Sequence, residues 1–210
     1  MRRLPWAVEY LDSAKSLVKE PQERKSNWKE NLHTDTLHVE IGCGKGGYSA
    51  SLARLYPDHG VVALEVNESA AGMAAKKFDE ENLDNLALIH GDAKYLTDWF
   101  APGEIDIIHL NFSDPWPKKR NAKRRLSAPS FLQDYKILLS DNGQIQMKTD
   151  NAALFEYSLL QMEQAGYKLN DVSVDFRREE HPEDPQTEYE TKFMEKGQPI
   201  YRAVWTKGNL

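Results

Sequence analysis

Seven short apolar runs of strand length punctuate the chain, at residues 37–41, 61–64, 86–89, 105–110, 144–148, 169–176 and 199–205. The first four are dominated by Val, Ile, Leu and Ala, which reads as strand covered on both faces. Between the runs lie windows of helical period at 48–56, 68–81, 127–139 and 151–165, the last stopped by Gly166. Strands that alternate with helices predict crossover connections and a mostly parallel sheet. The expected fold class is therefore α/β, a single Rossmann-like domain with helices on both faces of a seven-stranded sheet. Asp141, Asn142 and Gly143 predict a turn ahead of the fifth strand. Residues 1–34 are uneven, with short amphipathic helices predicted at 5–18 and around 22–28. They are expected to form a partly flexible N-terminal arm on a domain spanning 35–210. Arg2, Arg3 and Trp6 are its candidate partner contacts, and an exposed terminus is the simpler expectation. A polar segment at 177–198, rich in Glu, Pro and Thr, predicts a long loop that is either functional or disordered.

A chain of 210 residues suits one well-packed domain of this kind. No apolar run approaches the roughly 18 residues of a membrane span. The first residues, although they begin with two arginines, break their apolar stretch at Glu9, Asp12 and Lys15, so no signal peptide is expected and the cytoplasm is. The lone Cys43 excludes an intrachain disulfide and a zinc site built on several thiolates, and no metal is expected. A net charge of −6 argues against indiscriminate polyanion binding and leaves room for a local patch.

Such a patch is present. The stretch LNFSDPWPKKRNAKRR, residues 110–125, passes from the end of an apolar run through a turn stiffened by Pro115 and Pro117 into Lys118, Lys119, Arg120, Lys123, Arg124 and Arg125. Asp114 and Trp116 sit on that rigid turn. A basic run alone is most often a solvated face, but here it is concentrated in an acidic protein. Upstream, the first strand runs into Gly42-Cys43-Gly44-Lys45-Gly46-Gly47 and then a helix. That arrangement permits positive φ, lets a ligand approach the backbone, and suits a dinucleotide as well as other nucleosides. Glu40 just before the glycines would repel a pyrophosphate, yet it can pair with an amino-acid ammonium. Glu65 ends the second strand about twenty residues on, where an acid can accept both hydroxyls of a ribose. Asp92 ends the third strand, where it can meet an adenine amino group. Together these point to S-adenosylmethionine; singly, each carboxylate suits a helix N-cap equally well.

The segment 110–125, with EIGCGKGG upstream and TEYETKF downstream, closely resembles the bacterial tRNA (guanine-N7)-methyltransferase family from Trp28 onward. The resemblance implies a class I methyltransferase domain with an antiparallel C-terminal strand, S-adenosylmethionine as cofactor, and tRNA methylated at guanine 46 as substrate. It implies that Glu40, Gly42, Gly44, Glu65, Asp92 and Asp114 bind the cofactor and that Asp114 is catalytic. It further implies that Lys118, Asp150, Thr187, Glu188, Tyr189 and Glu190 contact substrate, and that Arg120, Asn121, Ala122, Lys123, Arg124 and Arg125 contact RNA. Asn121 and Thr191 stand where the family often has His and an acid or Gln. The competing readings are an NAD-dependent oxidoreductase, a methyltransferase of small molecules or other RNA, and an RNA-docking module without catalysis. The oligomeric state stays open between monomer and homodimer.

Overall fold

In the computed structural model, which describes residues 3–208, the apolar runs line up side by side. They are β1 (Thr36–Ile41), β2 (His59–Glu65), β3 (Leu86–His90), β4 (Ile105–Asn111), β5 (Leu139–Thr149), β6 (Lys168–Ser173) and β7 (Tyr201–Thr206). Together they make one seven-stranded sheet in the order β3-β2-β1-β4-β5-β7-β6. Strands β1 to β5 pair in parallel, and β7 enters antiparallel to both β5 and β6. The helices are α1 (Pro5–Ser13), α2 (Trp28–Asn31), α3 (Gly47–Leu55), α4 (Glu68–Glu81), α5 (Leu96–Trp99), α6 (Pro129–Leu138), α7 (Ala152–Gln164) and α8 (Glu188–Met194).

The period of two explains the layers. On β2, Val61 and Ala63 join a cluster with Tyr48, Leu52, Ala74 and Phe78. Val62 and Leu64 point the other way, into a cluster with Trp28, Leu96, Tyr135 and Trp205. Helix α4 keeps the bounds its pattern predicts, because Asn67 accepts from the Ala70 N–H at its start and Asn82 turns left-handed at its end.

Five expectations change. The predicted 5–18 helix stops at Ser13, since the Asp79 carboxylate draws in the Lys15 and Ser16 N–H groups. Residues beyond it run extended along β3, with Val18 N–H donating to Leu88 O and Leu88 N–H to Ser16 O. The helix predicted around 22–28 is instead a 3₁₀ turn over Pro21–Arg24 followed by α2. Asp141, Asn142 and Gly143 lie inside β5, as a bulge: Ile105 faces Leu139 but Ile107 faces Gln144. The 177–198 segment is not loop throughout, because α8 forms within it. Residues of the 1–34 stretch pack into the sheet, with Ala7, Leu11, Trp28 and Leu32 buried and the Trp28 indole donating to Trp99 O at 2.8 Å. Trp6 stays half exposed beside Lys76. Arg2 and the outer ends of the two expected domains lie outside the described residues.

Helices α1 and α4 cross at Gly72. A Cβ added there would lie 1.9 Å from the Ala7 carbonyl oxygen, in the backbone of α1. In a free helix, Gly→Ala would be worth about 1 kcal/mol in favour of Ala. Here overpacking against backbone outweighs that. Gly72→Ala is expected to destabilise by about 1–3 kcal/mol, read as a lower midpoint in thermal unfolding. A midpoint equal to or above that of the parent protein would show that α1 is free to shift.

Candidate active site

Four of the predicted carboxylates gather along the C-terminal ends of adjacent parallel strands, where an open α/β sheet presents its ligand crevice. Gly42 and Gly44 both have positive φ, and a Cβ on either would meet no atom within 4 Å, so open space lies over the turn. The Glu65 carboxylate braces that turn. One oxygen accepts from Gly44 N–H at 2.8 Å and the other from Asn67 N–H at 2.7 Å. A carboxylate has roughly four acceptor positions, so two remain for hydroxyl donors. Asp92 ends β3 half-exposed, accepting from Lys94 N–H and thereby capping a short 3₁₀ turn.

Glu40 is enclosed beneath the glycine turn. Its carboxyl accepts from Ser49 Oγ at 2.5 Å and from Asn111 Nδ2 at 3.0 Å. Burial pushes the Glu40 carboxyl up from the ordinary carboxylate range, and the two hydrogen bonds oppose that shift. With two neutral donors on its oxygens, the carboxylate keeps acceptor positions that an ammonium group could fill.

The loop after β4 is strained at both ends. Phe112 and Trp116 have φ values of +50° and +41°, uncommon for aromatic residues. Trp116 is half-buried with the Arg124 guanidinium 4.9 Å from its ring. Arg125 donates to the carbonyls of Pro115 and Trp116 and stacks over Tyr157, so it fixes the loop from inside. Asp114, Lys118, Arg120, Lys123 and Arg124 are exposed, with Asn121 and Ala122 half-buried in the 3₁₀ turn Lys119–Arg124. Asp150 follows β5 and is half-buried.

The C-terminal motif divides. Thr187 and Glu190 form a capping box: Thr187 accepts from the Glu190 N–H while the Glu190 carboxylate accepts from the Thr187 N–H. Glu190 is fully enclosed. Its carboxylate pairs with Lys148 Nζ at 3.0 Å and Arg177 Nε at 2.8 Å, and Asp184 pairs with the same two cations at 2.6 and 2.7 Å. Glu188 and Tyr189 face outward instead. Glu188 lies against the glycine turn, with Lys45 and Lys77 at 4.0 and 3.7 Å, and Tyr189 is 56% exposed. Lys148 and Arg177 escaped the sequence reading. The Thr-x-x-Glu spacing was there to predict α8, but nothing local told which cations its Glu would meet.

Asp184 is also the end of a buried column. The Tyr48 hydroxyl donates to Asp184 at 2.9 Å and lies 3.2 Å from His109 Nδ1. His109 Nε2 lies 2.9 Å from His38 Nδ1, and His38 Nε2 lies 2.9 Å from His59 Nδ1. The carboxylate sets the proton order: a tyrosine donating to Asp184 must accept from His109, so each ring in turn donates through Nδ1 and accepts through Nε2. Burial and the neighbouring His59 lower His38 to about 4, and burial with His38 and Lys148 lowers His109 well below the usual histidine value.

The sheet order with an antiparallel β7, and a glycine turn left open over the strand ends, define a class I methyltransferase fold. Among solved structures, a methyltransferase described as antibiotic-related superposes with a TM-score of 0.66 at 14% identity, covering 86% of this chain and 93% of that one. The 16S rRNA methyltransferase KamB gives 0.65 at 15% identity, covering 88% and 92%. The sequence model of a family described as "Putative methyltransferase" matches residues 34–203. Proteins named tRNA (guanine-N(7)-)-methyltransferase are similar over nearly the whole chain. The one from Oceanobacillus iheyensis is 42% identical over 204 residues, covering 96% of each. That from Exiguobacterium sibiricum is 41% identical over 211 residues, covering 99% of each, and that from Streptococcus pneumoniae 42% over 205, covering 97% of each. The chain belongs to the tRNA (guanine-N7-)-methyltransferase family.

Proposed function

We propose that this protein methylates N7 of guanine 46 in the variable loop of tRNA, in the cytoplasm, with Asp114 as the catalytic residue. The observation that carries the reading is the convergence, on one sheet edge, of an open glycine cradle, the Glu65 carboxylate that braces it, and an exposed Asp114 loop continued by a basic turn. Among the described residues no helix is long and apolar enough to cross a membrane.

The residues fit S-adenosylmethionine. Glu65 would take the ribose hydroxyls, Asp92 the adenine amino group, Gly42 and Gly44 the close approach, and Glu40 the ammonium end. When bound, that cofactor supplies an electrophilic methyl on a sulfonium. Guanine N7 carries an in-plane lone pair and no proton, so no general base is required. Asp114 orients the base and stabilises the positive charge that develops on its imidazole ring, electrostatic assistance aimed at the transition state. Alignment supplies a further, entropic share. Lys118 and Asp150, exposed and half-buried in the loops after β4 and β5, would contact the substrate. Thr187 and Glu190 hold α8 in place, and Glu188 and Tyr189 face outward from it. Arg120, Asn121, Ala122, Lys123 and Arg124 form the RNA-facing turn, where phosphate contacts position the substrate without reading sequence.

The test is incubation with unmodified tRNA and methyl-labelled S-adenosylmethionine, followed by nucleoside analysis. Label in 7-methylguanosine is expected, with Asp114→Asn slower by about 100-fold or more and a pH–rate profile of unchanged shape. Label on another nucleoside would overturn the specificity. A basic limb that vanished in Asp114→Asn would make Asp114 a proton acceptor.

A further inference from the structure

Three aromatic rings meet where the loop that carries Asp114 faces α8. Phe112, two positions before Asp114, lies 5.9 Å from Tyr189 and 5.8 Å from Phe193, and Tyr189 lies 6.5 Å from Phe193. All three planes agree to within 20–22°. Tyr189 and Phe193 come from α8, which the Glu190 ion pairs tie to β5. Phe112 is fixed to the same strand, its N–H donating to Lys148 O at 2.8 Å. Its φ of +50° is a backbone cost that the surrounding contacts must offset. A helix that needed only apolar cover could rest on aliphatic side chains without such alignment. Near-parallel rings, open to solvent at Tyr189, instead offer a face.

We propose that Phe112 and Phe193, together with Tyr189, form a stacking platform for the purine base presented to Asp114. The proposal rests on the reading of the substrate as a guanine in tRNA, and adds the residues that hold the base once it leaves its own stack. Single-stranded and extruded bases are held this way because every base has a π face and aromatic side chains bind it without sequence preference. The choice of guanine then falls to polar groups at the ring edge, and the platform sets position. Two flexible cations flank it: Lys192 Nζ lies 5.5 Å over Tyr189 and Lys196 Nζ 5.9 Å over Phe193. A base that stacks on a face they cover displaces them, which frees both ammonium groups to pair with backbone phosphates.

The experiment is single-turnover methyl transfer to unmodified tRNA with saturating S-adenosylmethionine, for Phe112→Leu, Phe193→Leu and Tyr189→Leu. Thermal midpoints and affinity for S-adenosylhomocysteine are measured alongside. Each variant is expected to lower kcat/KM for tRNA roughly ten-fold, the order one base–aromatic stack supplies, with cofactor affinity kept. Phe193→Tyr should recover most of the loss that Phe193→Leu causes. Tyr189 is exposed, so Tyr189→Leu remains informative if a phenylalanine variant unfolds. Leucine variants that match the parent rate, or a Phe193→Tyr as slow as Phe193→Leu, would overturn the platform while leaving the methylation reading intact. A parent protein that puts no label into tRNA guanine would overturn both.

Discussion

Replacing Lys148 by methionine is expected to cost about 3–5 kcal/mol of stability, the usual penalty for stranding a buried charge, and to abolish most methyl transfer. Lys148 and Arg177 together face Asp184 and Glu190, two cations against two carboxylates. The side chains are only 3%, 9%, 7% and 0% exposed, so water screens none of them. Methionine fills the aliphatic volume but leaves two carboxylates to one guanidinium. The excess negative charge can be relieved only by protonation or by undocking 177–198, which carries α8 away from the glycine turn and from Phe112. Two readouts separate local from global failure. Limited proteolysis should cut within 177–198 before the sheet unfolds, and denaturant midpoints should fall. Adding Glu190→Gln to Lys148→Met, which restores charge balance, should regain part of the loss. A Lys148→Met protein with the parent midpoint and parent rate would show that the ion pairs contribute nothing net.

Acidification from pH 7 towards 4 is expected to weaken the fold through the histidine column, well before most carboxylates titrate. His38 goes from an ordinary 6.5 when unfolded to about 4 when folded. The unfolded chain therefore binds the extra proton first, so stability is full above about pH 6.5 and is lost as pH falls towards 4. By linkage, that difference amounts to about 3 kcal/mol for His38 alone. His109 is shifted the same way and adds to the slope. The geometry gives the reason: with the proton order set by Asp184, protonating His38 would turn its acceptor Nε2 into a donor facing the His59 Nδ1–H. Asp106 partly opposes the shift of His38. Denaturant midpoints measured between pH 7 and 5 should fall steadily for the parent protein, and less steeply for His38→Asn compared with its own value at pH 7. Midpoints flat across that range would mean the column is already charged or hydrated.

Both predictions draw on contacts that cross long stretches of chain, and these are what the sequence could not supply. Lys148 meets Glu190 from forty-two positions away, and His38 meets His109 from seventy-one. Periodicity reports which face a residue occupies on its own element. It says nothing about which element lies opposite. For that reason the 177–198 stretch, polar and proline-bearing, reads as loop, although its Thr-x-x-Glu cap and its two inward carboxylates become a helix and an anchor once Lys148 and Arg177 are in place. The N-terminal segment reads as an arm for the same reason: Leu11 and Trp28 are apolar in any reading, but only the α1–α4 crossing at Gly72 gives Leu11 a place, and only Phe100 and the Trp99 carbonyl on the other face of the sheet give Trp28 one.

What the sequence determined by itself was local and periodic. The apolar runs and the glycine turn dictated strand, turn and helix, because backbone freedom and side-chain period act within a few residues. Asn67 set the start of α4. The strand-end positions of Glu65 and Asp92 followed from the alternation, and the SDPWPKKR stretch carried the family resemblance. What only the tertiary structure decided was partnership. It put Glu40 between Ser49 and Asn111, tied Arg125 to the carbonyls of its own loop, sent Glu190 inward and Tyr189 outward, and brought Tyr189 and Phe193 onto Phe112. Burial and charge pairing depend on summed contacts over the whole sheet, and no window of sequence contains that sum.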